Sequence, residues 1–283
     1  MTRRRDRIIA LLLLLAVVGT TFVLWGLPKG FGKKKVALVE VRGTISDPGA
    51  VVRQLRKYTE DRSVAAIVLR IESPGGSVAA SQEIYRAILR ARERGKKVVA
   101  SMGNVAASGG YYIAVAADTI VANPGTITGS IGVIAEFPNV EKLLEKLGLK
   151  VEVLKTGQYK DIGSPLRKME EEEKKLVQEV LEDAYTQFLK AVSEGRGIPE
   201  DSLRPYADGR IFTGRQALAL GLVDVLGGYQ DAVDLAGRMA GIGPNPPTVG
   251  GRRKGLLERF LGVLEGRMEP IPVGVGLYYL FGM

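Results

Sequence analysis

Apolar and polar residues fall along this chain in blocks whose period switches between two and about 3.6. VALVEV (36–41) is apolar and β-branched and predicts a strand, and AAIVLRI (65–71) predicts a second, buried one. A helical stretch covers 49–59 between them. ESPGGS reads as a turn, and VAASQEIYRAILRARERG (78–95) keeps a helical period up to Gly95. KKVVASM is a further strand, after which NVAASGGYYIA (104–114) opens a helix of small residues. Residues 119–134 read as short strands between turns, VEKLLEKLG as a short helix, and KVEVLKT (150–156) as a strand. Beyond Ser164-Pro165 a long helix carries the apolar stripe Val177, Leu181, Tyr185, Phe188 and Val192. Glu170–Glu173 precede Lys174 and Lys175 with favourable polarity and predict a solvated face. Strands alternating with helices, without a solenoid repeat, predict an α/β architecture.

The two ends depart from this alternation. Ile8 to Leu27 is an uncharged run of 20 residues, long enough at about 1.5 Å per residue to cross the roughly 30 Å hydrocarbon core of a bilayer. No A-x-A-like site follows it, so it predicts an uncleaved anchor rather than a signal peptide. Arg3–Arg5 and Arg7 on one side face Lys29 and Lys33–Lys35 on the other, which weakens the charge vote on orientation. The simplest topology keeps the short N-terminal tail in the cytoplasm and the large domain on the extracytoplasmic side of the cell membrane. The expected division is a basic tail (1–7), the transmembrane helix (8–27), a basic linker (28–35), a catalytic domain (36–240) and a C-terminal part (241–283). That last part holds a basic amphipathic helix at 251–267, suited to anionic lipid or to a neighbouring subunit. The apolar end, VGVGLYYLFGM, demands burial, and a substrate groove is one place for it.

Composition then narrows the chemistry. The chain has 283 residues, with 46% hydrophobic and 25% charged, which fits a globular protein. It contains no cysteine and no histidine. Disulfides, thiol catalysis and Ser-His-Asp catalysis are therefore excluded, and a transition-metal site would have to use carboxylates alone. No metal and no cofactor is expected. The net charge of +9 sits largely in clusters, and aromatic residues make up only 6% without interleaving among the basic ones. Nucleic acid is not the expected partner.

Two glycine-bearing corners could carry a reaction. ESPGGSV (72–78) lies between a buried strand and a helix, where glycine amides can approach a reacting oxygen without a Cβ in the way. A plain tight turn would look the same. In AASGGYY, Ser108 sits at a strand-to-helix junction with the Gly109 amide beside it. The segment is not a G-x-S-x-G elbow, because residue 106 is alanine, and no S-x-x-K follows, because residue 111 is tyrosine. A nucleophilic Ser108 would need a base that is not histidine. Carboxylates are poorly matched, whereas a desolvated lysine gives up its proton more readily. Lys160, in the turn-rich TGQYKDIGSP, is a candidate, and Lys155 and Lys168 compete with it on residue type alone.

The ordered series SPGG-S, NVAASGGYYIA, TGSIGV, KTGQYKDIGSP and FTGRQALALGLVDVLGG resembles the signal peptide peptidase A family over roughly residues 36 to 240. That family comprises membrane-anchored Ser-Lys proteases of the superfamily that also holds the caseinolytic protease subunit and the crotonases. The resemblance is to the short, single-repeat form. It implies Ser108 as nucleophile, Lys160 as general base and then acid, and Ser130 as a hydroxyl that positions the lysine amine. It also implies an oxyanion hole from the amides of Gly75 and Gly109, with Gly76 the alternative to Gly75. The 52 residues between Ser108 and Lys160 agree with that family. The implied fold is a crotonase/ClpP-like superhelical α/β fold of repeated β-β-α units, preceded by one N-terminal transmembrane helix. The implied assembly is a homo-oligomer, an octameric dome with inward-facing sites. The implied substrates are cleaved signal peptides and other unfolded or membrane-derived peptides with small or apolar side chains. Three rivals stand beside this reading: a stomatin-operon membrane protease, a crotonase-like acyl-CoA enzyme and an inactive membrane scaffold.

Overall fold

The structure is a computed structural model that describes residues 34–251 and 278–280. Its strands are β1 (Lys35–Arg42), β2 (Val64–Ser73), β3 (Gly75–Ser77), β4 (Lys97–Ala107), β5 (Thr119–Ala122) and β6 (Ile127–Gly129). β7 (Ile211–Thr213), β8 (Val225–Leu226), β9 (Thr248–Gly250) and β10 (Tyr278–Leu280) complete them. The helices are α1 (Gly49–Glu60), α2 (Val78–Glu93), α3 (Gly109–Ala114), α4 (Glu141–Lys146) and α5 (Glu171–Arg196). α6 (Glu200–Leu203), α7 (Gly214–Ala219) and α8 (Tyr229–Met239) follow. Eight strands form one sheet with the path β7-β6-β4-β2-β1-β9, and β5 and β8 branch from β4. All of its pairings are parallel except β6 with β7.

A parallel sheet buried on both faces needs apolar residues at successive positions, as the near-continuous runs in β1, β2 and β4 provide. The pleat sends them to opposite sides. Ala37, Val39, Ile67, Leu69, Val98 and Ala100 enter the larger core. Val36, Ala66, Val68 and Val99 meet Ala232, Val233 and Ala236 of α8 on the other face. α2 contributes Ala80, Ile84, Ala87, Ile88 and Ala91 to the larger core, a helical stripe of small and branched residues.

The expected α/β class agrees with this frame, whose parallel-rich sheet fits a ClpP/crotonase-like fold. β9 pairs with β1 at 248–250, beyond residue 240. KVEVLKT is not a strand: residues 150–156 lie outside every regular element and are exposed throughout, Leu154 to 91%. No strand of the sheet pairs with them, and an alternating pattern alone cannot supply the ladder of hydrogen bonds that makes a strand. The acidic run also departs from a wholly solvated face, because Glu173 is buried. The anchor expected at 8–27 lies outside the described residues, as does all of the 251–267 helix but its first residue. Among the described residues no helix is long and apolar enough to cross a membrane.

Candidate active site

β4 ends at Ala107 and α3 begins at Gly109, so Ser108 is the single hinge residue between a buried strand and a buried helix. Its backbone sits at φ 54°, ψ −119°, a conformation that side-chain-bearing residues rarely adopt. Hydrogen bonds hold it there from both sides. The Ser108 N–H donates to Gly129 O at 2.8 Å, and its carbonyl accepts the Tyr112 N–H at 2.8 Å. Strain fixed by surrounding structure is a feature of functional corners. The residue is 1% exposed, and its Oγ has no hydrogen-bond partner. A buried hydroxyl left unsatisfied costs about 1–3 kcal/mol, so its persistence calls for a reason such as catalysis.

Glycines let the walls of this corner close. A Cβ on Gly109 would stand 2.6 Å from Ser81 Oγ and 3.2 Å from both Gly75 Cα and Gly76 N. One on Gly76, at φ 155°, would meet Ile45 O at 2.3 Å. The strand β3 is thereby drawn against the start of α3, the residue after the serine. The Gly75 N–H donates to Ser73 Oγ at 3.1 Å, a bond that an incoming oxyanion would have to replace. The Gly75 carbonyl accepts the Ile45 N–H at 2.8 Å, and the Ser77 N–H donates to Ile45 O at 2.7 Å. By strand alternation the Gly76 amide between them points to the opposite edge. The Gly109 amide belongs to the first turn of a helix, where no carbonyl a turn earlier is available to take it.

That opposite edge carries a strand. β10 pairs antiparallel with β3, setting Tyr278 opposite Ser77, Tyr279 opposite Gly76 and Leu280 opposite Gly75, and it also lies against α3. Residues 278–280 of the apolar end are thus bound beside the serine corner through backbone pairing of the kind that captures extended peptides at sheet edges.

Ser130 is brought to the same place. β6 runs beside the end of β4, pairing Gly129 with Ala107, and Ser130 follows at φ 51° with its N–H donated to Arg210 O at 2.8 Å. Ser130 lines a cleft of about 620 Å³ with Val133, Ile134, Tyr185, Arg204 and Asp208. Lys160 stands apart. It is exposed in a turn, and because Ser108 Oγ has no partner the two are not hydrogen-bonded within the chain. Of the competing lysines, Lys155 donates to Asp161 Oδ1 at 2.6 Å and to Gln158 O at 2.7 Å.

Two sets of residues escaped the sequence reading. One is Ser73, whose hydroxyl accepts the Gly75 N–H of β3. The other is the group Asp161, Arg167 and Glu173 around the lysine turn. Arg167 in SPLRKM, an arginine between an aspartate and an acidic run, was the available signal. No group of three or more ligating side chains able to hold a metal occurs among the described residues.

A strained, unpartnered serine at a strand-to-helix corner, with a glycine-lined close approach of β3 beside it and a parallel α/β frame behind it, is the arrangement of a serine peptidase. Comparison with known proteins agrees. Residues 90–242 match peptidase family S49, and residues 35–125 match Clp protease. A Synechocystis sp. protein named as a protease is 48% identical over 214 residues, covering 75% of this chain and 77% of its own. The chloroplastic serine protease SPPA of Arabidopsis thaliana is 36% identical over 232 residues, covering 77% of this chain and 34% of its own. Protease 4 of Haemophilus influenzae is 38% identical over 213 residues, covering 71% and 34%. The matched regions thus span only about a third of the last two relatives. The chain belongs to peptidase family S49, the family of signal peptide peptidase A.

Proposed function

We propose that this chain is a membrane-anchored serine endopeptidase that uses Ser108 as nucleophile and Lys160 as general base. The observation that carries the reading is the buried, strained Ser108 hydroxyl without a hydrogen-bond partner. Ser108 Oγ attacks the scissile carbonyl carbon while its proton passes to the Lys160 amine. The carbonyl oxygen, now negative, is met by the amides of Gly109 and of Gly75 or Gly76. The Lys160 ammonium then gives its proton to the leaving amine, and the acyl ester forms. Water, deprotonated by the same lysine, cleaves that ester and restores Ser108. Ser130 steers the lysine amine.

For this chemistry Lys160 has to approach Ser108 from its exposed turn, by closure of the turn or from a neighbouring copy. The fold suggests oligomerisation, and an octamer is the assembly we propose. Substrates enter as extended peptides along the outer edge of β3. Small or apolar side chains suit this groove, so unfolded and membrane-derived peptides, including cleaved signal peptides, are the proposed class. The proposed anchor is the apolar run 8–27, which would hold the enzyme in the cell membrane with its N-terminus cytoplasmic and its catalytic domain on the other side.

Incubation with a fluorophosphonate, followed by peptide mass spectrometry, tests this reading. One adduct is expected, on Ser108. An unlabelled Ser108 in folded protein would favour a crotonase-like acyl-CoA enzyme or an inactive scaffold instead. The pairing of β10 with β3 gives a second expectation. Wild-type protein should lose part of its C-terminal tail on standing, and the Ser108→Ala variant should keep it, as read from intact masses. A tail that stays whole in both would mean that β10 does not lie in a productive register.

A further inference from the structure

The turn that carries Lys160 has little to hold it. Residues 151–160 are exposed throughout, and within 157–164 the backbone makes only local bonds: Lys160 N–H to Gly157 O, Ile162 N–H to Tyr159 O and Ser164 N–H to Asp161 O. A general base must nevertheless arrive within hydrogen-bond reach of its proton, and small misplacements cost large factors in rate. Some feature outside the turn has to fix where it sits.

The side chains next to Lys160 provide that feature. Asp161 accepts from Arg167 Nε at 2.9 Å and Nη2 at 2.8 Å, and from Lys155 Nζ at 2.6 Å. The same guanidinium turns its other edge to Glu173, with Nη1 donating at 2.8 Å and Nη2 at 2.5 Å. Glu173 is 3% exposed, and its Oε2 also takes the Glu170 N–H at 2.9 Å in the capping box that starts α5. Arg167 therefore grips two carboxylates in a planar fork, one beside Lys160 and one on the first turn of a 26-residue helix. Few groups other than guanidinium hold two carboxylates this way at fixed angles. Gly163, at φ 77°, closes the far side, where a Cβ would come within 2.5 Å of the Phe137 ring.

The charges also balance. Lys155 and Arg167 match Asp161 and Glu173, so the carboxylate adjoining Lys160 is already paired. The other charged groups around the turn are Glu170 and Glu172 at the start of α5, with Glu172 hydrogen-bonded to Tyr159, and Glu141 of α4, which accepts the Lys168 N–H. Arg167 hydrogen-bonding holds the Glu173 carboxyl down to about 2, and with Lys155 it pushes Asp161 lower still. Both stay ionised throughout neutral and alkaline pH.

We propose that Arg167, clamped between Asp161 and Glu173, is a positioning residue that sets the Lys160 turn against α5 for delivery to Ser108. This rests on Lys160 being the general base. In the full-length protein in detergent, the rate constant and final extent of fluorophosphonate labelling at Ser108 should be compared across variants. Arg167→Ala is expected to slow labelling and peptide hydrolysis at least tenfold while the final labelled fraction and KM remain those of the wild type. Arg167→Lys, keeping charge but not the fork, should recover only part of the rate. Asp161→Asn preserves shape and loosens the grip, so it should slow labelling in the same direction. Wild-type rates in both Arg167→Ala and Asp161→Asn would overturn the proposal. So would a labelled fraction that falls in step with the rate in both, because that marks a purely structural ion cluster. Lys160→Ala separates the two levels. If it labels and turns over like the wild type, the base assignment itself falls, whereas a dead Lys160→Ala beside a normal Arg167→Ala removes only the clamp.

Discussion

Replacing Ser108 by alanine is expected to abolish peptide hydrolysis and to leave the protein at least as stable as the wild type. The loss should be on the order of 10⁴-fold or more in kcat, as for removal of the nucleophile in other serine peptidases. Stability moves the other way because Ser108 Oγ is buried without a hydrogen-bond partner. Deleting it removes a desolvation penalty of about 1–3 kcal/mol and leaves a void smaller than a methyl group. Ser108→Gly should be more stable again, since φ 54° and ψ −119° burden any residue with a Cβ and scarcely burden glycine. Each kcal/mol is worth about 2–4 °C in a chain of this size, so thermal melts rank the three proteins. The order glycine, alanine, serine with activity only in serine is the signature of a residue kept for chemistry at the expense of stability. A fall in melting temperature on Ser108→Ala would mean that the hydroxyl is bonded in solution and that the corner is structural.

The same residues show why some of this molecule was legible beforehand. β1, β2 and β4 announce themselves because a parallel sheet covered on both faces leaves no place for polar positions, and VALVEV and AAIVLRI contain almost none. The strand-to-helix corner at Ser108 was legible from the small residues around it, whose purpose the close approach of Gly109 to Ser81 and Gly75 makes concrete. KVEVLKT misled because alternation describes a half-buried strand only when a neighbouring strand exists, and that partner is a tertiary fact. β3 and β10, three residues each, owe their strand form to tertiary pairing with each other and, for β3, with Ile45, and GGS carries no strand propensity at all. Glu173 could not be told from Glu170–Glu172 by spacing. Burial and the approach of Arg167 distinguish it, and both depend on how the 155–168 loop folds back onto α5.

Lys160→Ala is the second variant with a large expected effect, and the pH profile gives it meaning. In water a lysine ammonium releases its proton only near pH 10, so a lysine serving as base makes activity rise from pH 6 toward the alkaline range. The sign follows from the active form being the neutral amine. Asp161 and Glu173 cannot produce such a limb, because their carboxyls, held low by Arg167, are ionised across the whole range. With no histidine in the chain, no imidazole can produce it either. Hydrolysis of an unfolded apolar peptide by wild type should therefore climb between pH 6 and 10, and Lys160→Ala should be flat and at least a thousandfold lower, within the usual range for loss of an essential base. Lys155→Ala should keep the rising limb at a reduced height, since that amine is engaged by Asp161. Equal activity of Lys160→Ala and wild type would sink the Ser-Lys reading while leaving Ser108 as nucleophile. Loss of the limb in Lys155→Ala instead would move the base five residues back along the same exposed segment.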